Sequence, residues 1–216
     1  GSRPKSLKVR GLEPFVVHEY KNPDGSLKGL IARYKTPEGK TLCPWTYGKL
    51  GNAKLGWQPR AFTPLRPLYG LDKLAARPDA KVVMVEGEKA ADAGQRLLPD
   101  MVAVTWPGGA NGIHSVDWKP LAGRAIVMIP DADVPGELAM LTIASYLLPL
   151  QCKLQYVDSS DQPQGWDLAD AEEEGWTTGQ VISWAREHIR SITSKEADEA
   201  RLEAEKKTLQ DSLAED

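Results

Sequence analysis

Hydrophobic and polar positions follow two different rhythms along the chain. In the first third, short runs of strand-forming residues are separated by turn sequences built on Pro and Gly, which favour sharp chain reversals. Residues 15–20, 27–34 and 42–47 therefore predict a small antiparallel meander. Residues 48–67 are rich in Gly and Pro and predict a loop, and residues 69–76 predict a short helix.

The rhythm changes near residue 81, where continuous apolar runs begin to alternate with helical segments. Such runs are typical of strands that are buried on both faces, and their alternation with helices predicts a parallel sheet flanked by helices. The predicted strands are 82–85, 102–106, 125–129 and 153–157, and the predicted helices are 89–98, 137–148 and 180–189.

The two ends of the chain carry weaker signals. Residues 1–13 are polar and predict a disordered start, and Gly1-Ser2 is typical of a cloning remnant. Residues 193–216 are dense in Glu, Lys and Ala, and Leu202, Leu209 and Leu213 give them only a thin apolar stripe. A solvated terminal helix and a linker to a further domain both fit this pattern, and we favour the linker.

Composition excludes several classes of protein. The 216 residues suit one domain with an appended piece, and 41% hydrophobic with 26% charged residues is ordinary for a globular protein. No apolar run reaches the roughly 18 residues of a membrane span, so no membrane contact is expected. Cys43 and Cys152 are too few for a zinc ribbon or a disulfide framework, which favours a reducing cytoplasm.

The net charge of −3 hides a strong asymmetry. Residues 1–80 hold 15 Lys and Arg against 6 Asp and Glu, a net of +9, and the remaining 12 against 24 give −12. The basic part also contains aromatic residues, and cations beside aromatics suit a phosphate backbone with stacked bases. A solvated basic β-surface explains the same composition equally well.

Acidic residues follow three of the predicted parallel strands. Glu86 follows the first strand, Asp131 and Asp133 follow the third, and Asp167 with Asp170 lies in the loop after the fourth. Ligands of parallel sheets bind beyond the carboxyl ends of the strands, and converging carboxylates need a cation to neutralise them. Hard oxygen ligands suit Mg²⁺ with waters and a phosphate. The competing explanation is that these acids only cap helices.

These residues resemble the TOPRIM domain shared by DnaG-type primases, topoisomerases and some nucleases. The resemblance covers residues 80–190 and rests on Glu86-Gly87 and on Asp131-Ala132-Asp133. A Gly-rich turn at 106–112 and a late Gly165-Trp166-Asp167 make the chain most similar to primase-helicases of phages and mobile elements. The resemblance implies an α/β Rossmann-like fold with a mostly parallel sheet.

The resemblance also implies an activity, namely template-directed synthesis of short primers on single-stranded DNA from nucleoside triphosphates. Glu86 would act as general acid or base, or contact metal through water. Asp131 and Asp133 would hold Mg²⁺, for which Mn²⁺ could substitute, and Asp167, with Asp170, would support a second metal or the nucleotide. Substrate or nucleic-acid contacts are assigned to Lys89, Gly87, Gly109, Arg33, Lys35, Trp45 and Arg60.

The implied organisation places a basic N-terminal subdomain at residues 14–79, the TOPRIM domain at 80–190, and a charged helix or linker at 191–216. A replicative helicase, as a separate protein or a further C-terminal domain, is the implied partner. One departure is that DnaG-type primases use a cysteine-rich zinc-binding domain, which this sequence lacks. Two alternatives therefore remain open: a Mg²⁺-dependent nuclease, and a non-catalytic nucleic-acid-binding or coupling module. A topoisomerase is disfavoured, since no candidate for its nucleophilic Tyr stands out.

Overall fold

A computed structural model describes residues 3–49 and 55–214 of the chain. The predicted cloning remnant at residues 1–2 and part of the predicted loop, residues 50–54, lie outside this description, as do the last two residues of the tail. The described residues form a mixed α/β fold with two sheets, one antiparallel and one mostly parallel, and a terminal helix. No helix within these described ranges is long and apolar enough to cross a membrane.

The first sheet contains four antiparallel strands in the order of the chain. They are β1 (Val16–Lys21), β2 (Leu27–Thr36), β3 (Gly39–Gly48) and β4 (Gly56–Pro59). The three predicted strands are confirmed, but β4 falls in residues predicted as loop. The Gly and Pro of this segment are typical of loops, which is why the strand was not predicted. In β4, Trp57 pairs with Tyr47 of β3, and their ring centroids are 5.8 Å apart.

The two faces of this small sheet have different environments, because side chains alternate along a strand. Leu30 and Tyr34 lie on a face that has its own small core. Leu7 joins this core, and its carbonyl accepts a hydrogen bond from the Tyr34 hydroxyl at 2.6 Å. The N-terminal segment is therefore anchored there, although its polar sequence predicted disorder. Ile31 and Arg33 lie on the opposite face.

The second sheet contains five strands in the order β6-β5-β7-β8-β9. They are β5 (Val82–Met84), β6 (Val102–Val104), β7 (Ala125–Met128), β8 (Lys153–Val157) and β9 (Ile189–Arg190). The first four are parallel, as predicted, and β9 is antiparallel to β8. A two-residue strand leaves no periodic signal, so sequence reasoning missed β9. Apolar cores cover both faces of this sheet.

Seven α-helices surround the parallel sheet in the described part of the chain. They are α1 (Leu71–Ala76), α2 (Glu88–Leu97), α3 (Gly109–Gly112), α4 (Val134–Leu147), α5 (Leu168–Glu173), α6 (Thr178–His188) and α7 (Ser194–Ala214). Of the two alternatives for the C-terminal residues, the terminal helix is confirmed: α7 packs against α4. Ala197 and Ala200 are buried, and such small side chains allow close helix packing that a charged sequence conceals.

A buried polar contact joins the two sheets. Glu88, only 6% exposed in the first turn of α2, accepts hydrogen bonds from the Tyr20 hydroxyl at 2.8 Å and from Arg33 at 3.0 Å. Next to it on the same helix, Asp92 accepts a hydrogen bond from the Tyr69 hydroxyl at 2.8 Å and lies 3.3 Å from His18. These contacts fix the small sheet against α2.

We expect Tyr20→Phe to lower the free energy of unfolding by about 1 to 3 kcal/mol, since it leaves one buried Glu88 oxygen without its donor. The ring packing on Phe62 and Tyr69 survives in this variant. Urea denaturation followed by circular dichroism measures the change. Tyr47→Phe is the matched control, because Tyr47 is half exposed. Equal stability of the two variants would contradict the role assigned to the Glu88 contact.

Candidate active site

The two sheets enclose a cleft of about 590 Å³ at the carboxyl ends of the parallel strands. The chain leaves β5 for β6 on one side and later returns to β7 on the other, so the cleft opens where the strand order reverses. This switch point is the usual ligand site of an open parallel sheet. Its charged lining residues are Arg33, Arg66, Glu86, Glu88, Lys89, Asp131 and Asp167.

Glu86 stands at the end of β5, at the centre of this switch point. Gly87 follows with φ 80° and ψ 151°, a conformation that favours glycine, and α2 starts directly after it. The Gly87 N–H donates to the Thr105 hydroxyl at 3.0 Å, which holds the turn against the next strand. Burial raises the pKa of the Glu86 carboxyl, and the Asp133 carboxylate raises it further.

Asp131 follows β7, and the pKa of its carboxyl is strongly raised. Burial raises its pKa, and the nearby carboxylates of Glu86, Asp167 and Asp133 add to that effect, giving a value of about 8. Glu86 and Asp131 follow the neighbouring parallel strands β5 and β7, so both carboxylates lie at the same edge of the sheet. An added cation would relieve this crowding.

Asp133 caps α4, since its Oδ1 accepts a hydrogen bond from the Gly136 N–H at 2.7 Å. Gly136 lies within the first turn of the helix, where a Cβ atom would come within 2.7 Å of the Asp131 carbonyl oxygen. The close approach of these two segments therefore requires glycine. Asp133 therefore caps a helix and also lies close to Asp131. The helix-cap and carboxylate-site interpretations of the sequence do not exclude each other for this residue.

Asp167 has the same double character. Its Oδ1 accepts N–H groups of Ala169 and Asp170 at the start of α5, and the Asp170 carboxylate accepts the Asp167 N–H in return. Burial raises the pKa of Asp167, while the backbone N–H donors oppose that rise. Asp170 is thus placed as the second half of a capping box.

The carboxylate oxygens at this edge of the sheet are the type of ligand that Mg²⁺ accepts. No group of three or more His, Cys, Asp or Glu side chains in residues 3–49 and 55–214 is arranged to hold an ion on its own. Mg²⁺ often takes only one or two carboxylates and completes its shell with waters and substrate phosphates. Asp131 and its acidic neighbours supply such oxygens, in a place where positive charge is favoured.

Cations line the other side of the cleft. Arg33 reaches it from β2, and Lys89 lies at its rim, paired with the Glu173 carboxylate at 2.7 Å. Arg66 was missed by sequence reasoning, because it lies in a Pro-rich segment without periodicity. Its guanidinium packs against the Gly-rich turn, since a Cβ atom on Gly108 would lie 2.5 Å from Nη1.

The other predicted contact residues divide between the cleft and its surroundings. Gly87 and Gly109 line it, and Arg60 is exposed next to a lining residue, just after β4. Lys35 lies outside it, with its ammonium 5.5 Å from the Phe15 ring. The prediction that Trp45 contacts nucleic acid was wrong. Trp45 is buried on the opposite face of the small sheet, where its Nε1 donates a hydrogen bond to the Tyr34 hydroxyl at 3.2 Å, so its ring offers no stacking surface.

The family described as "Domain of unknown function (DUF6371)" matches residues 20–132, more than half of the chain. The chain belongs to this family. The matched region of this DUF6371 chain contains most of the small sheet, Glu86, the Gly-rich turn and Asp131, while Asp133 and Asp167 lie beyond it. No curated protein matches the sequence.

Solved structures of primases share the fold of this DUF6371 chain. The zinc-binding and RNA polymerase domains of the Aquifex aeolicus primase match with a TM-score of 0.55 at 18% identity, over 94% of this chain and 48% of that one. The primase fragment of the bacteriophage T7 primase-helicase protein matches with a TM-score of 0.51 at 14% identity, over 82% and 64%. The chain thus spans less than two thirds of either structure.

We expect Asp131→Asn to raise the Tm by about 2 to 8 °C in the presence of a chelator, because it removes a buried carboxyl that its neighbours crowd. The same change should reduce the Tm increase that MgCl₂ produces in the unmodified protein. Differential scanning calorimetry with and without MgCl₂ measures both effects. Asp100→Asn, at an exposed position, is the charge-matched control. A lower Tm with an unchanged response to MgCl₂ would contradict this assignment.

Proposed function

We propose that this chain is the catalytic core of a primase, a Mg²⁺-dependent nucleotidyltransferase that joins nucleoside triphosphates into short primers on single-stranded DNA. One observation carries the proposal: carboxylates from two neighbouring parallel strands and a following loop face one cleft, opposite a basic β-sheet. The fold shared with primase catalytic domains supports it. Replication of a phage or mobile element in the cytoplasm is the context that we propose.

The reaction places a 3′-hydroxyl in line with the α-phosphate of an incoming nucleotide and expels pyrophosphate. Such chemistry depends on positioning and on neutralising charge. A bound Mg²⁺ would lower the pKa of the hydroxyl and stabilise negative charge on the leaving group. Asp131, Asp133 and Asp167 are the residues that would hold it. Glu86, a carboxylate of the cleft whose pKa is raised by burial, would accept the proton of the hydroxyl.

The small antiparallel sheet would hold the template. It forms the wall of the cleft opposite the carboxylates, with Arg33 facing inward and Arg60 exposed beside it. Cations at such positions attract a phosphate backbone. Because the T7 structure is a fragment of a primase-helicase protein, we also propose a helicase as a separate partner or a further domain of the full protein.

Primer synthesis tests the proposal directly. We expect labelled oligomers when the protein is incubated with single-stranded DNA, nucleoside triphosphates and Mg²⁺ or Mn²⁺. Glu86→Gln should reduce the rate by about 10²-fold or more, since it removes the proton acceptor. Asp100→Asn, at an exposed position, should leave the rate unchanged. Oligomers that Glu86→Gln forms at the normal rate would contradict the role assigned to Glu86.

Asp133 needs a variant that separates catalysis from capping. Asp133→Ser keeps a good N-cap of α4 but removes the negative charge, so we expect the free energy of unfolding to change by less than about 1 kcal/mol while primer synthesis is lost. Urea denaturation and the primer assay together decide this. Retained synthesis in a stable Asp133→Ser protein would limit Asp133 to its capping role.

A non-catalytic binding or coupling module is the second candidate. The observation in its favour is that no three His, Cys, Asp or Glu side chains in the described part of the chain are arranged to hold a metal ion. This candidate predicts no oligomers but DNA binding that weakens steeply with salt. A nuclease would instead nick DNA in the presence of Mg²⁺ without added nucleotides. The same set of reactions, with and without nucleotides, distinguishes all three.

A further inference from the structure

Two arginines that line the cleft carry unused buried donors. In residues 3–49 and 55–214, four buried side-chain nitrogen or oxygen atoms have no hydrogen-bond partner, and two of them are the Nε atoms of Arg33 and Arg66. The other two belong to His18 and Thr142, which do not line the cleft. Buried donors are normally satisfied, so an unpaired guanidinium nitrogen in a cleft indicates a missing anionic ligand.

Glu88 explains how Arg33 is held in the cleft. Both oxygens of its buried carboxylate are occupied, Oε1 by the Tyr20 hydroxyl at 2.8 Å and Oε2 by Arg33 Nη2 at 3.0 Å. A carboxylate occupied in this way is a poor metal ligand, even though it belongs to the same Glu-Gly-Glu segment as Glu86. Its contacts instead fix the guanidinium while leaving Arg33 Nε unpaired.

Arg66 is positioned by the Gly-rich turn on the opposite side. A Cβ atom on Gly108 would lie 2.5 Å from Arg66 Nη1, and one on Gly112 would lie 3.2 Å from it. Only glycine therefore allows the guanidinium to lie this close to the turn. A Cβ atom on Gly109 would lie 3.8 Å from Glu86 Oε1, so the same turn lies next to both Arg66 and the Glu86 carboxylate.

We propose that Arg33 and Arg66 form an anion-binding clamp for the phosphate tail of a nucleoside triphosphate, and that Glu88 is the positioning residue of Arg33. The inference rests on the proposed function, because that function supplies the nucleotide. The short, highly charged tail of a triphosphate can contact arginines and a carboxylate-bound cation at the same time. Guanidinium groups suit this role, since their planar fork matches phosphate oxygens.

Binding of inorganic tripolyphosphate to the full chain tests the clamp by isothermal titration calorimetry in a chelator, without template. Arg33→Lys and Arg66→Lys keep the charge but lose the fork, and we expect each to weaken binding by about 5-fold or more. Arg186→Lys, at an exposed position of α6, is the matched control and should leave the Kd unchanged. Thermal melts confirm that each variant is folded.

Glu88→Gln separates positioning from metal binding. We expect it to weaken tripolyphosphate binding by about 3-fold or more, because a neutral amide holds Arg33 less firmly. The affinity for Mg²⁺ alone should stay unchanged. Loss of Mg²⁺ affinity in this variant would identify Glu88 as a metal ligand and overturn its positioning role.

Two outcomes would overturn the clamp. One is an unchanged tripolyphosphate Kd in folded Arg33→Lys and Arg66→Lys proteins. The other is that both substitutions weaken binding only of an oligothymidylate without a terminal phosphate. That result would assign the arginines to the DNA backbone. Because the titration contains no template and no divalent ion, failure of primer synthesis leaves its result intact. If the protein synthesises primers but both substitutions leave its tripolyphosphate Kd unchanged, the clamp is contradicted while the proposed function stands.

Discussion

The buried carboxylate of Glu88 is the contact on which the geometry of the cleft depends. It accepts a hydrogen bond from Tyr20 and another from Arg33, both on the antiparallel sheet, while it belongs to the helix that follows Glu86. A buried charge without such donors is strongly unfavourable, so the small sheet cannot move away from α2 at low cost. The carboxylates and the basic wall thereby face each other across a fixed space.

The cleft combines groups that oppose one another in the isolated protein. Burial and the neighbouring carboxylates raise the pKa of Asp131 to about 8, and two arginines keep buried donors without partners. Each arrangement costs free energy, and each is relieved by a ligand of opposite charge. A nucleotide phosphate with a bound cation would satisfy both at once. The same charges that weaken the free protein are therefore the ones that would bind substrate.

Local sequence signals predicted much of the fold. The strands ending at Glu86 and Asp131 were recognisable because buried parallel strands are continuous apolar runs, and such strands place the residues that follow them at one edge of the sheet. The terminal helix was predicted only as one of two alternatives, and β4 was not predicted, because both elements are stabilised by packing and pairing. Ala197 is buried against the core, and Trp57 pairs with Tyr47, and neither contact leaves a local pattern.

The sequence by itself determined that acidic residues end neighbouring strands and that the N-terminal part is basic. Only the tertiary structure decided which cations face the acids. In the folded chain Trp45 is buried in the core of the small sheet, and Arg66 packs against the Gly-rich turn. Glu88 accepts a hydrogen bond from Arg33 and so connects α2 to the small sheet. The physical reason is that strand order and sheet packing join residues far apart in the chain, whereas periodicity reports only on neighbours.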